Sequence, residues 1–246
     1  MKTTTIITAF AMTATFATES LAAGYQTDSF KTKSGKEVVL TAIKHASLRI
    51  QYDGLEIQVD PVVQFAPATD YSNFPKADII LVTHEHFDHF DRDAIAALKK
   101  DSTQVIANPS VQKMLGFGTA MANGESRTIG KVLTLDAVPA YNMTAGRTQF
   151  HPKGRDNGYV LTLDGLRIYI AGDTEDIPEM AKLKDIDVAF LPCNQPYTMT
   201  PEQVAKAAKI IKPKVLFPYH YSETPIKRVA ELLADTSIDV RIRNYR

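Results

Sequence analysis

The chain holds a single cysteine, Cys193, among 246 residues. One thiol forms no intrachain disulfide and builds no multi-cysteine zinc or iron–sulfur site. Surplus charge is also missing: 28 basic and 28 acidic side chains cancel to a formal net charge of zero. Binding to nucleic acid or to an anionic membrane would call for a basic excess, so neither partner is expected. Past the N-terminus no apolar run is long enough to span a bilayer. Histidine is scarce, with six in the whole chain. The rest is ordinary for a globular protein: 44% apolar, 23% charged, 12 glycines and 13 prolines. That length supports one large α/β domain or two small ones.

The N-terminus reads as an export signal over residues 1–22. Lys2 gives a positive start, residues 6–17 are moderately apolar, and Ser20-Leu21-Ala22 offers small residues for cleavage. The segment is rich in threonine and interrupted, too weak for a stable membrane anchor. The expectation is a periplasmic or secreted protein whose mature part, residues 23–246, is one domain. No feature points to a particular oligomeric state.

Three of the six histidines crowd into Thr83-His84-Glu85-His86-Phe87-Asp88-His89. The run follows an apolar segment, residues 78–82, which reads as a buried strand. Side chains spaced this closely beyond a strand end converge only if the backbone turns, so the run should be a loop. Imidazole nitrogen and carboxylate oxygen are the donors that zinc, iron and manganese accept.

An internal echo organises the remainder. Alternating segments 47–52 and 55–60 flank Asp53-Gly54, and segments 159–163 and 166–170 flank Asp164-Gly165. Asp-Gly between alternating apolar residues is a strong hairpin signal. The first hairpin ends at Asp60-Pro61 and the second at Asp173. Each is followed by a strand (77–82; 187–191), a helix (91–100; 200–211) and another strand (103–107; 214–219). Two related β-β-β-α-β halves would pack as two sheets with helices outside, their strand ends opening on one edge. Thr200-Pro201-Glu202-Gln203 carries a capping-box pattern. Asp176 with Glu179 should cap a short helix through Lys184. Thr224-Pro225 opens a last helix with Ile226, Val229, Leu232 and Leu233 as its stripe, and residues 239–243 should form an edge strand. Asp173 and His220 both follow strands that reach the edge where the histidine loop lies.

His84-x-His86-x-Asp88-His89, a glycine–aspartate after a strand and a histidine after a late strand together resemble the metallo-β-lactamase superfamily. The likeness runs from about residue 38 to 245. It is nearest to the lactonase-like and phospholipase-D-like metal-dependent hydrolases, to whose landmarks Lys44-His45-Ala46-Ser47, Val59-Asp60-Pro61 and Gly172-Asp173-Thr174 are similar. The resemblance implies a four-layer αββα sandwich of the α/β class. It implies one or two divalent ions, zinc first, with manganese or iron as alternatives. His84 and His86 would hold one ion, Asp88, His89 and His220 the other, and Asp173 would bridge them. Two adjacent cations lower the pKa of a shared water and yield hydroxide at neutral pH. Asp88 and Asp173 would be the catalytic carboxylates, Asp173 positioning that hydroxide.

One position departs from the family pattern. Where a third histidine is expected after the strand over 131–140, the sequence has Asn142; His151, nine positions on, is the expected replacement. Without it the first site would have two histidines and bind weakly. Asp60 resembles the family's supporting aspartate. His45 is expected near the site, behind Asp60 or another ligand, or as a structural residue. Cys193 is expected to be buried. Arg147, Lys153 and Arg155 could hold a phosphate or carboxylate, or form a solvated basic loop. Tyr141, Tyr197, Tyr219 and Tyr221 could line the pocket. The expected function is hydrolysis of an ester-type bond, phosphodiester or lactone, in a small and possibly anionic substrate. The alternatives are an iron-dependent redox enzyme on the same fold and a non-catalytic metal- or ligand-binding protein.

Overall fold

Both Asp-Gly pairs turn as the alternation requires. Asp53 and Gly54 have φ of 49° and 81°, and Asp164 and Gly165 have 46° and 81°. Positive φ at both positions is the type I′ pattern that matches the strand twist. The computed structural model describes residues 24–65 and 67–245; the export signal expected over residues 1–22 lies outside them. Among the described residues no helix is long and apolar enough to cross a membrane.

Strands β1 (Gln26–Lys31), β2 (Glu37–Lys44), β3 (Ser47–Tyr52), β4 (Leu55–Val59) and β5 (Ile79–Val82) run in chain order across the first sheet. Helix α1 (Arg92–Leu98), strand β6 (Gln104–Ala107), helix α2 (Pro109–Leu115) and strand β7 (Thr119–Ala120) complete that half. The second half opens with β8 (Ser126–Ile129), β9 (Leu133–Ala140), β10 (Asp156–Leu163), β11 (Leu166–Ile170) and β12 (Val188–Pro192). It continues through α3 (Pro201–Ile211), β13 (Val215–Tyr219), α4 (Lys227–Leu232) and β14 (Asp239–Val240). Each sheet has seven strands. In both, antiparallel pairs lead into parallel ones: β2–β3–β4 then β4–β5–β6, and β9–β10–β11 then β11–β12–β13. The repeated grammar read from the sequence is thus one topology used twice.

Parallel strands are covered on both faces and so read as unbroken apolar runs. In β5, Ile79 and Leu81 enter the core between the sheets, while Ile80 and Val82 pack outward against Ala94, Ile95 and Leu98 of α1 and Val111 and Leu115 of α2. On the other side Val204, Ala208 and Ile211 of α3 join the inter-sheet cluster with Leu161, Ile168 and Phe190. Full burial of such a side chain contributes about 1.5–3 kcal/mol. The layers are therefore helix, sheet, sheet, helix, as expected.

Local signals set most helix ends. Asp91 accepts from the N–H groups of Asp93 and Ala94 to start α1. Thr200 and Gln203 form the reciprocal capping box of α3. The helix expected from Asp176 is instead a short 3-10 turn, Pro178–Lys182, without a side-chain cap. Asp176 is engaged elsewhere, accepting from Gln203 and Lys206 of α3. The final strand is two residues rather than five, because Arg241 and Arg243 turn to the Asp28 carboxylate on β1. Helix α2 was not anticipated, although Asn108-Pro109 is a cap followed by proline at the first helical position.

Candidate metal centre

The loop after β5 turns at once. The carboxylate of Asp60, just past β4, accepts from Thr83 N–H at 2.8 Å and Thr83 Oγ1–H at 2.7 Å. Further on, the N–H groups of His89 and Phe90 both donate to the His86 carbonyl at 2.9 Å. This tight turn brings His84, His86, Asp88 and His89 to the sheet edge. Asp173 arrives from β11 through Gly172, whose φ is 63°. A Cβ at Gly172 would stand 2.7 Å from the Asn157 carbonyl, so the close approach of the two chains there requires glycine. His220 follows β13 directly.

These side chains assemble into three overlapping donor groups: His84, His86 and His151; His84, His89 and Asp173; and His45, Asp88, His89 and His220. In each, one donor atom per residue lies within 4.8 Å of every other. Asp173 stands between the groups. Its Oδ2 is 3.4 Å from His151 Nε2 and 3.2 Å from His220 Nε2, and its Oδ1 is 3.3 Å from His89 Nε2. His84 Nε2 and His86 Nδ1 are 3.1 Å apart. Donors about 2.0–2.2 Å from one ion stand roughly 3–3.5 Å from each other, so this spacing fits a cation. Polar satisfaction agrees. His89 Nε2, His151 Nε2, His220 Nε2 and Asp173 Oδ1 are buried without a hydrogen bond from the protein. Each such orphan costs about 1–3 kcal/mol unless something occupies it, and ions bound in these groups would serve all four.

The rear nitrogens of His84, His89 and His151 are engaged. Asp60 Oδ2 is 2.8 Å from His89 Nδ1, Thr83 Oγ1 is 3.0 Å from His84 Nδ1, and Asp156 Oδ2 is 3.0 Å from His151 Nδ1. Such partners set the tautomer and aim Nε2 forward. Arg155 donates twice to Asp156, at 2.6 and 2.9 Å, and lies 3.1 Å from Glu85. The Glu85–Arg155–Asp156–His151 chain therefore joins the two loops that supply the first histidine group.

The replacement expected at His151 is what the structure brings together. Asn142 N–H donates to the His151 carbonyl at 2.8 Å, closing the loop so that a residue nine positions on returns to the edge. The Asn142 side chain faces away, donating to the carbonyls of Tyr197 and Arg147 at 2.7 and 3.3 Å.

Charge on the donors follows from their crowding. Burial alone would raise the Asp173 carboxyl, but His220 and His89 outweigh it and hold it well below the usual range. Asp88 behaves alike, with His89, His220 and His45 overcoming burial. Burial would likewise lower His220, yet Asp173 and Asp88 push it up to about 9. His84 goes the other way, lowered by burial and by His89. The surrounding imidazoles thus hold both carboxylates ionised, which suits them to meet a cation.

Other expected contributors separate here. His45, assigned no definite role from sequence, lies inside the cluster with its Nε2 3.1 Å from Asp88 Oδ2. Each cation of the basic loop has an acidic partner. Arg147 has Glu175 at 3.8 Å, Lys153 has Glu179 at 3.0 Å, and Arg155 has Asp156 and Glu85. Tyr141 donates to Glu179 and Tyr221 to the Arg243 carbonyl. Cys193 is buried, and burial pushes its thiol up to about 12.

The chain is similar to known proteins in sequence and fold. The model of the beta-lactamase superfamily domain matches residues 39–220. A UPF0173 metal-dependent hydrolase of Thermococcus kodakarensis is 35% identical over 191 residues, covering 74% of this chain and 83% of its own. The crystal structure of a candidate metal-dependent hydrolase from Parabacteroides distasonis superposes with a TM-score of 0.88 at 59% identity, over 90% of this chain and all of the other (100%). Igni18, a metallo hydrolase from Ignicoccus hospitalis, gives a TM-score of 0.71 at 25% identity over 84% of this chain and 95% of its own. With the matched family model spanning the candidate donors from His84 to His220, the chain belongs to the beta-lactamase superfamily, as a metal-dependent hydrolase.

Proposed function

We propose that the chain hydrolyses an ester-type bond, a lactone or phosphodiester, in a small-molecule substrate. In this reading His84, His86 and His151 hold one divalent ion, zinc by their chemistry, and Asp88, His89 and His220 hold a second, with Asp173 shared. Ions bound there would supply hydroxide at neutral pH and polarise the oxygen of the scissile group. The protein's part is to keep Asp88 and Asp173 ionised, to orient the imidazoles through Asp60, Thr83 and Asp156, and to hold the attacking water against Asp173. The observation that carries the reading is Asp173 itself, buried at the meeting of both histidine groups with Oδ1 accepting no hydrogen bond. Export through the leader over residues 1–22 belongs to the same proposal and is read by N-terminal sequencing of the mature protein.

The test counts ions per chain after metal supplementation and assays simple γ-lactones and bis(p-nitrophenyl) phosphate with wild type and His86→Ala. Two ions are expected in wild type. One is expected in the variant, with turnover lower by more than roughly 100-fold, beyond what loss of an outer partner costs. Wild type binding no ion, or His86→Ala turning over normally, would overturn the proposal.

A further inference from the structure

We propose that His45 is a direct donor to the second ion, making that position five-donor and unlike the three-histidine first position. The inference rests on the two-ion reading above and deepens it. Its basis is where the His45 ring sits. The supporting carboxylates Asp60 and Asp156 approach His89 and His151 at Nδ1, the nitrogen turned away from Asp173. His45 does the opposite. Its Nε2 lies 3.1 Å from Asp88 Oδ2, the same oxygen that His220 Nε2 approaches at 3.6 Å. A ring nitrogen of His45 also falls within 4.8 Å of donor atoms of His89 and His220. Two imidazole nitrogens converging on one carboxylate oxygen mark the corners of a coordination shell. A partner standing behind Asp88 would reach only Asp88.

The backbone holds His45 there at a cost. His45 and His220 are both left-handed, with φ of 44° and 50°, conformations that non-glycine residues rarely adopt and that the surroundings must impose. They are held against each other: His220 N–H donates to the His45 carbonyl at 3.0 Å, and their ring centroids are 3.7 Å apart with the planes tilted by 43°. Phe65 packs on His45 with centroids 4.4 Å apart. The repeated topology gives a second, independent reason. The β2–β3 turn that carries His45 corresponds to the β9–β10 loop that carries His151. Each half thus sends one histidine from the same connection, His151 to the first group and His45 to the second.

The two positions then differ in the ion they suit. Three histidines with one further ligand form the four-coordinate set of zinc. His45, Asp88, His89, His220 and Asp173 form a nitrogen-rich set for a six-coordinate ion such as manganese, iron, cobalt or nickel.

Cobalt(II) titration of the full-length metal-free protein tests this, with visible absorption as the readout. His45→Asn and His45→Gly are the variants, because both residues tolerate left-handed backbone. Wild type should take two cobalt ions, the second with the weak bands of five- or six-coordination. Both variants should bind the second ion more than roughly 100-fold more weakly, against the 10–100-fold lost with an outer partner. Their second-site bands should strengthen toward four-coordination, and added imidazole should restore the wild-type spectrum in His45→Gly. A wild-type second-site spectrum in both variants would make His45 a support of Asp88 and overturn the inference while leaving the two-ion reading intact. No cobalt bound by wild type would overturn both.

Discussion

Asp60 and Asp173 occupy matching places, each just past the second strand of an Asp-Gly hairpin, yet they do different work. Asp60 accepts three hydrogen bonds, two from Thr83 and one from His89, and stands behind the cluster. Asp173 faces into it, within 3.4 Å of His89, His151 and His220. A duplicated scaffold delivers both carboxylates to the same edge. The loop beside each decides which one supports and which one faces the donors. In the first half the strand after the hairpin opens into four donors. In the second, the corresponding loop after β12 brings none of the clustered residues.

The sharpest way to break the comparison is to exchange charge for amide at both places. Asp173→Asn should remove metal-dependent hydrolysis to background, measured as kcat/KM on the most active lactone or phosphodiester. Asp60→Asn should cost metal affinity roughly 10–100-fold and leave turnover at saturating metal. Equal losses in both variants would show that the two carboxylates share one role.

Next in size is Asp156→Asn. An amide no longer fixes the His151 tautomer, so affinity at the first site should fall by roughly 10–100-fold with the second unchanged. Competition with a chromophoric chelator reads this directly. Asn142→His should not rescue it, because the Asn142 side chain points to the Tyr197 and Arg147 carbonyls.

The smallest effect concerns how each half pins its edge loop. In the second half Glu175 accepts from the N–H groups of Met143 and Thr144 at 2.7 Å. In the first, the buried Lys44 ammonium donates to the carbonyls of Val63, Phe65 and Pro67. Burial lowers Lys44 from 10.5 to about 8. Between about 8 and 10.5 the unfolded chain therefore binds the extra proton, and this group's contribution to stability rises with pH. Denaturant midpoints of wild type and Lys44→Met should shift in favour of wild type as pH climbs from 8 toward 10; a constant difference would show that Lys44 keeps its proton.

The legible parts were those with short-range causes. Type I′ turns at Asp53-Gly54 and Asp164-Gly165, the capping box at Thr200 and the donor types in His84–His89 all depend on neighbours a few positions away. Asp173 and His220 were reachable because a strand end is itself a local signal. His45 was expected near the site but without a fixed role, since neither its neighbours nor its place in the chain say which side chain its ring faces. The charge on Arg147, Lys153 and Arg155 was legible but its partners were not, for a similar reason: Glu175, Glu179 and Glu85 meet it from 26 to 70 positions away.

Sequence by itself determined the alternation of strands and helices, the repeated half and the chemistry of the donors, because periodicity and turn geometry act over a few residues. Only the packing of two sheets decided which nitrogens and oxygens share a point. Bringing residue 45 to 220, or 84 to 173, within 4 Å requires cores built from the whole chain.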